Sequence, residues 1–196
     1  MISCILLSAG SSSRFGSPKA LAFFQHETVM EHLLGTLLTT TIDEIVVVLG
    51  SHAEEIKPVI LKHNKVKVVY NKDHNFGQTS SFKVGLQNIS SEVSAILLLP
   101  IDYPFVQIET IDLLIKQFKK KNALMMIPAY GGLKGHPPLF DIQFKKRFLE
   151  LDNAFGLNTI IHQHEKDVCL LAGDDPGVIK SFNTKIEFEK LKRELL

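Results

Sequence analysis

The chain has 196 residues, 45% of them hydrophobic and 22% charged, enough for one well-packed core and short for two. Its 22 basic and 21 acidic residues leave a net charge of +1, so no global field draws in nucleic acid or an anionic membrane, and an anion must be held locally. Cys4 and Cys169 stand far apart in apolar runs and read as reduced thiols rather than a disulfide or zinc site; with no membrane-length apolar stretch and no basic-then-apolar leader pattern, a soluble cytoplasmic protein is expected.

Along the chain, short apolar runs alternate with segments of helical spacing. Ile2 to Ser8 reads as a buried strand and is followed by a loop of small polar residues. Thr28 with Glu31 forms a capping box that opens a helix, and Glu44 to Leu49 is a second buried strand. Ser51 with Glu54 predicts another box, and Pro58 either kinks or shortens the helix it would start. Val66 to Tyr70, Ala95 to Leu99 and Ala123 to Ile127 are further strands, with Lys119, Lys120 and Lys121 closing the helix before the last of them. After Pro128, "AYGGLKGHPPLFD" reads as a long functional loop running into a strand. His162 and His164, two apart on a helix, diverge too far for a metal site. Asp174 to Gly177 predicts a tight turn before a last short strand, and Thr184 with Glu187 caps the final helix. The order predicts a single α/β domain: an open, mostly parallel sheet with helices on both faces and ligands at the carboxyl ends of the strands.

The loop after the first strand therefore lies on the ligand edge. In "LSAGSSSRFGSPK", Gly10 and Gly16 permit positive φ and close backbone approach, Ser11, Ser12 and Ser13 offer hydroxyls without bulk, and Arg14 and Lys19 supply fixed positive charge. Lys19 falls three residues after the second glycine, so the spacing is neither that of the dinucleotide loop nor that of the P-loop. An ordinary Gly/Ser turn with two solvated cations is the plain alternative; the position after a buried first strand favours a phosphate cradle. Asp102, ending the fourth run in "LLLPIDYP", sits on the same edge and suits either a turn or a cation paired with phosphates.

Gly10 to Lys19 resembles the G-x-S-x-R-[MF]-G-x-x-K loop of the MobA-like nucleotidyltransferases, and the resemblance continues through "VVVLGSHAEEI", "NFGQTSSFKVGL", "LLLPIDYPFV", "GHPPLF" and "DDPGVIKSFNT". The order of these motifs is most similar to the molybdenum cofactor cytidylyltransferase branch. The resemblance implies a Rossmann-like nucleotidyltransferase fold and transfer of CMP from CTP to the phosphate of a molybdopterin-type acceptor, releasing pyrophosphate. The product would pass to a molybdoenzyme. It also implies Arg14 and Lys19 as the catalytic cations, Asp102 as a ligand of Mg²⁺, and Asn183 as a second ligand where many relatives carry Asp; Asn183 suits a helix cap equally well. Thr79, Ser80 and Ser81 would meet the base and ribose, or simply cap a helix. Leu7-Ser8-Ala9-Gly10 resembles the cytidylyl type more than the Leu-Ala-Gly-Gly of guanylyl-transferring relatives. Gly135 and His136 would face the acceptor, although a loop histidine is often merely exposed, and the relatives' Gly-Asp-x-Gly-Ala-Arg is replaced here by "NAFGLNTII". Three alternatives therefore stand: transfer of GMP to the same acceptor, synthesis of a sugar nucleotide, or a non-catalytic carrier of the cofactor.

Overall fold

The structure, a computed structural model, describes residues 1–196. Strand β1 (Ile2–Ser8) leads through the loop into a small hairpin, β2 (Phe23–Phe24) with β3 (Glu27–Thr28), and then into α1 (Val29–Thr39). Next come β4 (Glu44–Leu49), α2 (Ala53–Ile56), β5 (Val66–Tyr70), α3 (Gly77–Asn88), β6 (Ala95–Pro100) and α4 (Ile108–Lys121). The C-terminal third holds β7 (Met125–Tyr130), β8 (Leu133–Lys134), β9 (Leu139–Asp141), α5 (Lys145–Glu150), α6 (Asn158–Gln163), β10 (Val168–Ala172) and α7 (Lys185–Leu195).

The main sheet runs β10-β7-β9-β6-β1-β4-β5, with β8 paired to β7. All neighbours are parallel except β9, which lies antiparallel between β6 and β7, and β8. β1 is central and buried at all seven positions. Its side chains alternate: Ile2, Cys4 and Leu6 join one core with α1, α4 and α7, while Ile5 and Leu7 join the other with α3, α5 and α6. Because β4 packs on one side of β1 and β6 on the other, the chain order reverses at β1, where open α/β sheets leave a crevice at the strand ends.

Several expected elements differ in detail. The fifth strand starts at Met125, not Ala123, because Asn122 takes a left-handed turn (φ 46°) and Ala123 N–H bonds back to Phe118 O, so that Ala123 closes the turn that caps α4. The segment after Pro128 is no long loop: Gly131 and Gly132 (φ 56° and 80°) turn β7 directly into β8, as a two-residue hairpin requires. The Ser51–Glu54 box does not form. His52 takes the N-cap position without a side-chain cap, and α2 is cut to four residues, with a 3-10 turn at Lys57–Val59 containing Pro58. The last short strand precedes Asp174 instead of following it; buried Asp175 accepts from Gly177 N (2.8 Å), Gln107 N (2.9 Å) and Thr110 Oγ1 (2.8 Å), tying this turn to the start of α4. The boxes at Thr28–Glu31 and Thr184–Glu187 are both formed.

Candidate active site

At the carboxyl ends of β1 and β6 lies a cavity of about 370 Å³, lined by the whole run Leu7 to Arg14 together with Lys19, Asp102 and Asn183. The loop between β1 and Lys19 holds its shape through a few specific contacts. Phe15 N (2.9 Å) and Gly16 N (3.0 Å) both donate to Ser12 O, and Lys19 N donates to Ser12 Oγ (3.2 Å). Gly16 has φ 80°, as its type allows; Gly10 does not use that freedom, and it is Ser12 that adopts the left-handed conformation, at φ 52°. Phe15 is buried edge-on against Phe182 (5.4 Å) and Phe188 (6.2 Å), so the loop is pinned to the segment entering α7. The backbone N–H groups of Ser11, Ser12, Ser13 and Arg14 have no acceptor within the protein. A solvated loop with four free donors and two cations is suited to a polyanion.

That aromatic contact brings together groups remote in sequence. Asn183 Oδ1 accepts from Arg14 Nη2 (2.9 Å) and from Lys19 Nζ (3.1 Å), and Lys19 Nζ also reaches Asp102 Oδ2 (3.2 Å). Two hard oxygens, one carboxylate and one amide, thus converge on a single ammonium. Asn183 is not the helix cap: Thr184 Oγ1 accepts from Glu187 N (3.2 Å), and Glu187 Oε2 accepts from Asn183 N (2.6 Å) and Thr184 N (3.2 Å). Those two backbone donors, Asn183 first, hold the Glu187 carboxyl below its usual range.

Thr79, Ser80 and Ser81 differ from expectation. All three are buried and their hydroxyls are committed: Thr79 Oγ1 donates to Phe155 O (2.7 Å), Ser80 Oγ to Asp73 O (2.9 Å) and Ser81 Oγ to Gly77 O (3.2 Å). Asn71 Nδ2 donates to both serines, so these hydroxyls organise the β5–α3 connection; of the three residues only Ser81 lines the cavity. His74, Gly77 and Gln78 also line that end; Gly77 and Gln78 belong to the segment "NFGQTSSFKVGL", whereas His74, just before it, carried no signal in the sequence.

His136 is not an exposed loop histidine. Its ring stacks on Tyr103 (4.2 Å between centroids), its backbone N–H donates to Val178 O (2.7 Å), and burial pushes the ring's pKa below the ordinary value of 6.5, opposed in part by the Asp102 carboxylate. With Gly135 it lines a second cavity of about 300 Å³, closed by Leu157, Asn158 and Ile161 from the segment where the expected Gly-Asp-x-Gly-Ala-Arg is missing. Gln78 lines both cavities, so they are adjacent. Tyr103, one residue beyond Asp102, is the contact that sequence reading missed.

Residues 4–168 match the MobA-like NTP transferase domain. The chain belongs to this family. It is 37% identical over 199 residues to a probable molybdenum cofactor guanylyltransferase of Bacillus cereus (strain ZK / E33L), covering 97% of this chain and 96% of that protein. The match to a protein of the same name from Bacillus cereus (strain AH187) is 37% identical over 132 residues and spans 62% of that protein's length. Among solved structures, Rv0371c of Mycobacterium tuberculosis H37Rv superposes with a TM-score of 0.86 at 23% identity, over 98% of this chain and 97% of that one. A nucleotidyl transferase from Methanothermobacter (Mth528) does so with a TM-score of 0.82 at 21% identity, over 100% and 97%. The fold is thus the Rossmann-like one of nucleotidyltransferases, and the MobA-like family accounts for a loop that is neither of the two common phosphate-binding types. No helix is long and apolar enough to cross a membrane.

Proposed function

We propose that the protein transfers GMP from GTP to the phosphate of a molybdopterin-type acceptor, releasing pyrophosphate. The observation that carries the reaction class is the convergence of four free loop N–H groups, Arg14, Lys19, Asp102 and Asn183 on one cavity at the point where the sheet order reverses. The choice of GTP over the expected CTP rests on the Bacillus relatives, which carry the guanylyltransferase name and align over nearly the full chain. Leu7, Ser8 and Ala9, which suggested CTP, are buried and line the cavity with small or apolar groups that discriminate weakly between bases.

In this reading the loop amides and the cations at Arg14 and Lys19 receive the triphosphate, oriented before the reaction begins. Asp102 and Asn183 would hold a small hard cation such as Mg²⁺: both offer hard oxygen, directed at the Lys19 ammonium, and substrate phosphate oxygens and water would supply the remaining ligands. Bound there, the ion would supply charge neutralisation at the attacked phosphorus. The acceptor, entering from the cavity of Gly135 and His136, reaches the first cavity past Gln78. A phosphate nucleophile is ionised at neutral pH, so the reaction requires no general base; the titratable groups lining the cavity are Arg14, Lys19, Asp102 and, at its α3 end, His74.

Pyrophosphate release is the test, measured with molybdopterin and Mg²⁺ across GTP, CTP, ATP and UTP. The expected outcome is turnover with GTP at least tenfold above the others. Preference for CTP returns the protein to the cytidylyl branch, and nucleotide binding without turnover makes it a carrier.

A further inference from the structure

The turn "GSHAEEI" after β4 is left unexplained by helix capping, since the expected box at Ser51 and Glu54 is absent. Its bonds go to the phosphate loop instead. Gly50 lies so close to the Ala9 carbonyl that a Cβ there would overlap it, Ser51 N donates to Ala9 O (3.2 Å), and His52 Nε2 meets Ser11 O at 3.1 Å. Three successive residues thus hold the loop from Ala9 to Ser11. On its other side, His52 Nδ1 meets Glu55 Oε1 at 2.8 Å.

Both partners of the ring are acceptors. A neutral imidazole has one donor and one acceptor nitrogen and would set a lone pair against either the carboxylate or the carbonyl, so this geometry is satisfied only by the doubly protonated ring. From this we infer that His52, oriented by Glu55, is a positioning residue of the nucleotide site: a charged clamp that fixes the Ser11 carbonyl and thereby aims the next amide at the phosphates. The inference rests on the phosphate reading of the loop. Because a peptide unit is planar and trans, pinning the Ser11 C=O toward His52 directs the Ser12 N–H to the opposite side. His52 does not line the cavity, so that opposite side is the ligand side. Ser12 is also the residue whose left-handed φ of 52° needs support from its surroundings. The ring's pKa is raised accordingly, by the Glu55 bond first and the Ser11 carbonyl second. The charge of the imidazolium is balanced by the Glu55 carboxylate, so its contribution to the site is the fixed Ser11 carbonyl and not an added positive field.

The test uses the whole protein with inorganic pyrophosphate and GTP as probes, in the presence of Mg²⁺. His52→Leu should weaken binding of both probes about tenfold, whereas His52→Gln, which retains a donor, should stay within about threefold of wild type. A role in fold stability alone would lower the melting temperature of His52→Leu and leave its probe affinity unchanged. Nitrogen NMR of the wild-type ring at pH 7 should show both nitrogens protonated. Equal probe affinity in wild type and His52→Leu, or a neutral ring at pH 7, overturns the clamp. Absence of binding by the wild-type protein overturns the nucleotide reading beneath it.

Discussion

The two adjacent cavities are built on opposite plans. The first takes one side from a continuous loop with free backbone donors, Leu7 to Arg14, to which a chain of polar contacts joins Asn183, Lys19 and Asp102, while the start of α3 and the end of β6 close the rest. The second is walled by fragments from α3, β6, β7, β8, β9 and α6, which place Leu98, Ile127, Phe140, Leu157 and Ile161 beside scattered polar groups, among them His136 stacked on Tyr103. Charge recognition needs donors and cations at short range and tolerates solvent. Recognition of a flat organic group needs apolar walls and a few well-placed polar atoms. The backbone donors of the first cavity thus come from one local motif, whereas its carboxylate and amide, like the apolar walls of the second, are delivered by long-range packing.

Breaking the first cavity should have the largest effects. Asp102→Asn leaves only neutral oxygens for a hard cation and takes the carboxylate from Lys19, so transfer should fall by about 10³ or more at millimolar Mg²⁺. Full activity of this variant in the pyrophosphate-release assay would remove the metal from the site. Lys19→Ala should lower kcat/KM by about 10², on the order of 3 kcal/mol of lost charge stabilisation, while the circular dichroism spectrum stays that of the wild type.

The second cavity is probed more gently. His136→Leu removes the stack on Tyr103 and should raise the KM for the acceptor by about tenfold with GTP affinity unchanged, since one aromatic pair contributes about 0.5–1.5 kcal/mol. A change in GTP affinity instead would show that the two cavities are not separate subsites. The smallest effect is on stability. Burial holds the native pKa of His136 below 6.5, so as the pH falls through 6.5 the unfolded chain takes up a proton that the native state refuses. The stability conferred by keeping this ring neutral is present above pH 6.5 and is lost as the pH drops toward the lowered native value. Urea midpoints at pH 7.5 and 5.5 should therefore differ less in His136→Leu than in wild type.

Reading the two regions from sequence succeeded unequally for the same reason. The phosphate loop is contiguous, follows a buried strand, and uses residue types whose chemistry survives without a partner, so Gly10 to Lys19 could be recognised in one line of text. Thr79, Ser80 and Ser81 look like a ligand-binding turn in sequence, but hydroxyl groups serve ligands and backbones equally, and only the packing against Asp73, Gly77 and Phe155 shows where they are used. His136 could be singled out in its Gly-His-Pro segment but not recognised as half-buried, because its stacking partner Tyr103 lies on another strand's exit.

The sequence by itself determined the alternation of strands and helices and two of the three expected caps, at Thr28–Glu31 and Thr184–Glu187, since continuous apolar runs and hydroxyl–carboxylate boxes are local signals, and it placed a loop rich in small residues and cations after β1. Tertiary structure alone decided that β9 enters antiparallel between β6 and β7, that Asn183 faces the cavity while Thr184 caps α7, and that the His52 ring bridges Glu55 of its own helix to the Ser11 carbonyl of the loop. Each of these depends on contacts between residues distant in the chain, such as Arg14 with Asn183 at a separation of 169 residues, and local residue patterns do not encode which partner packing will deliver.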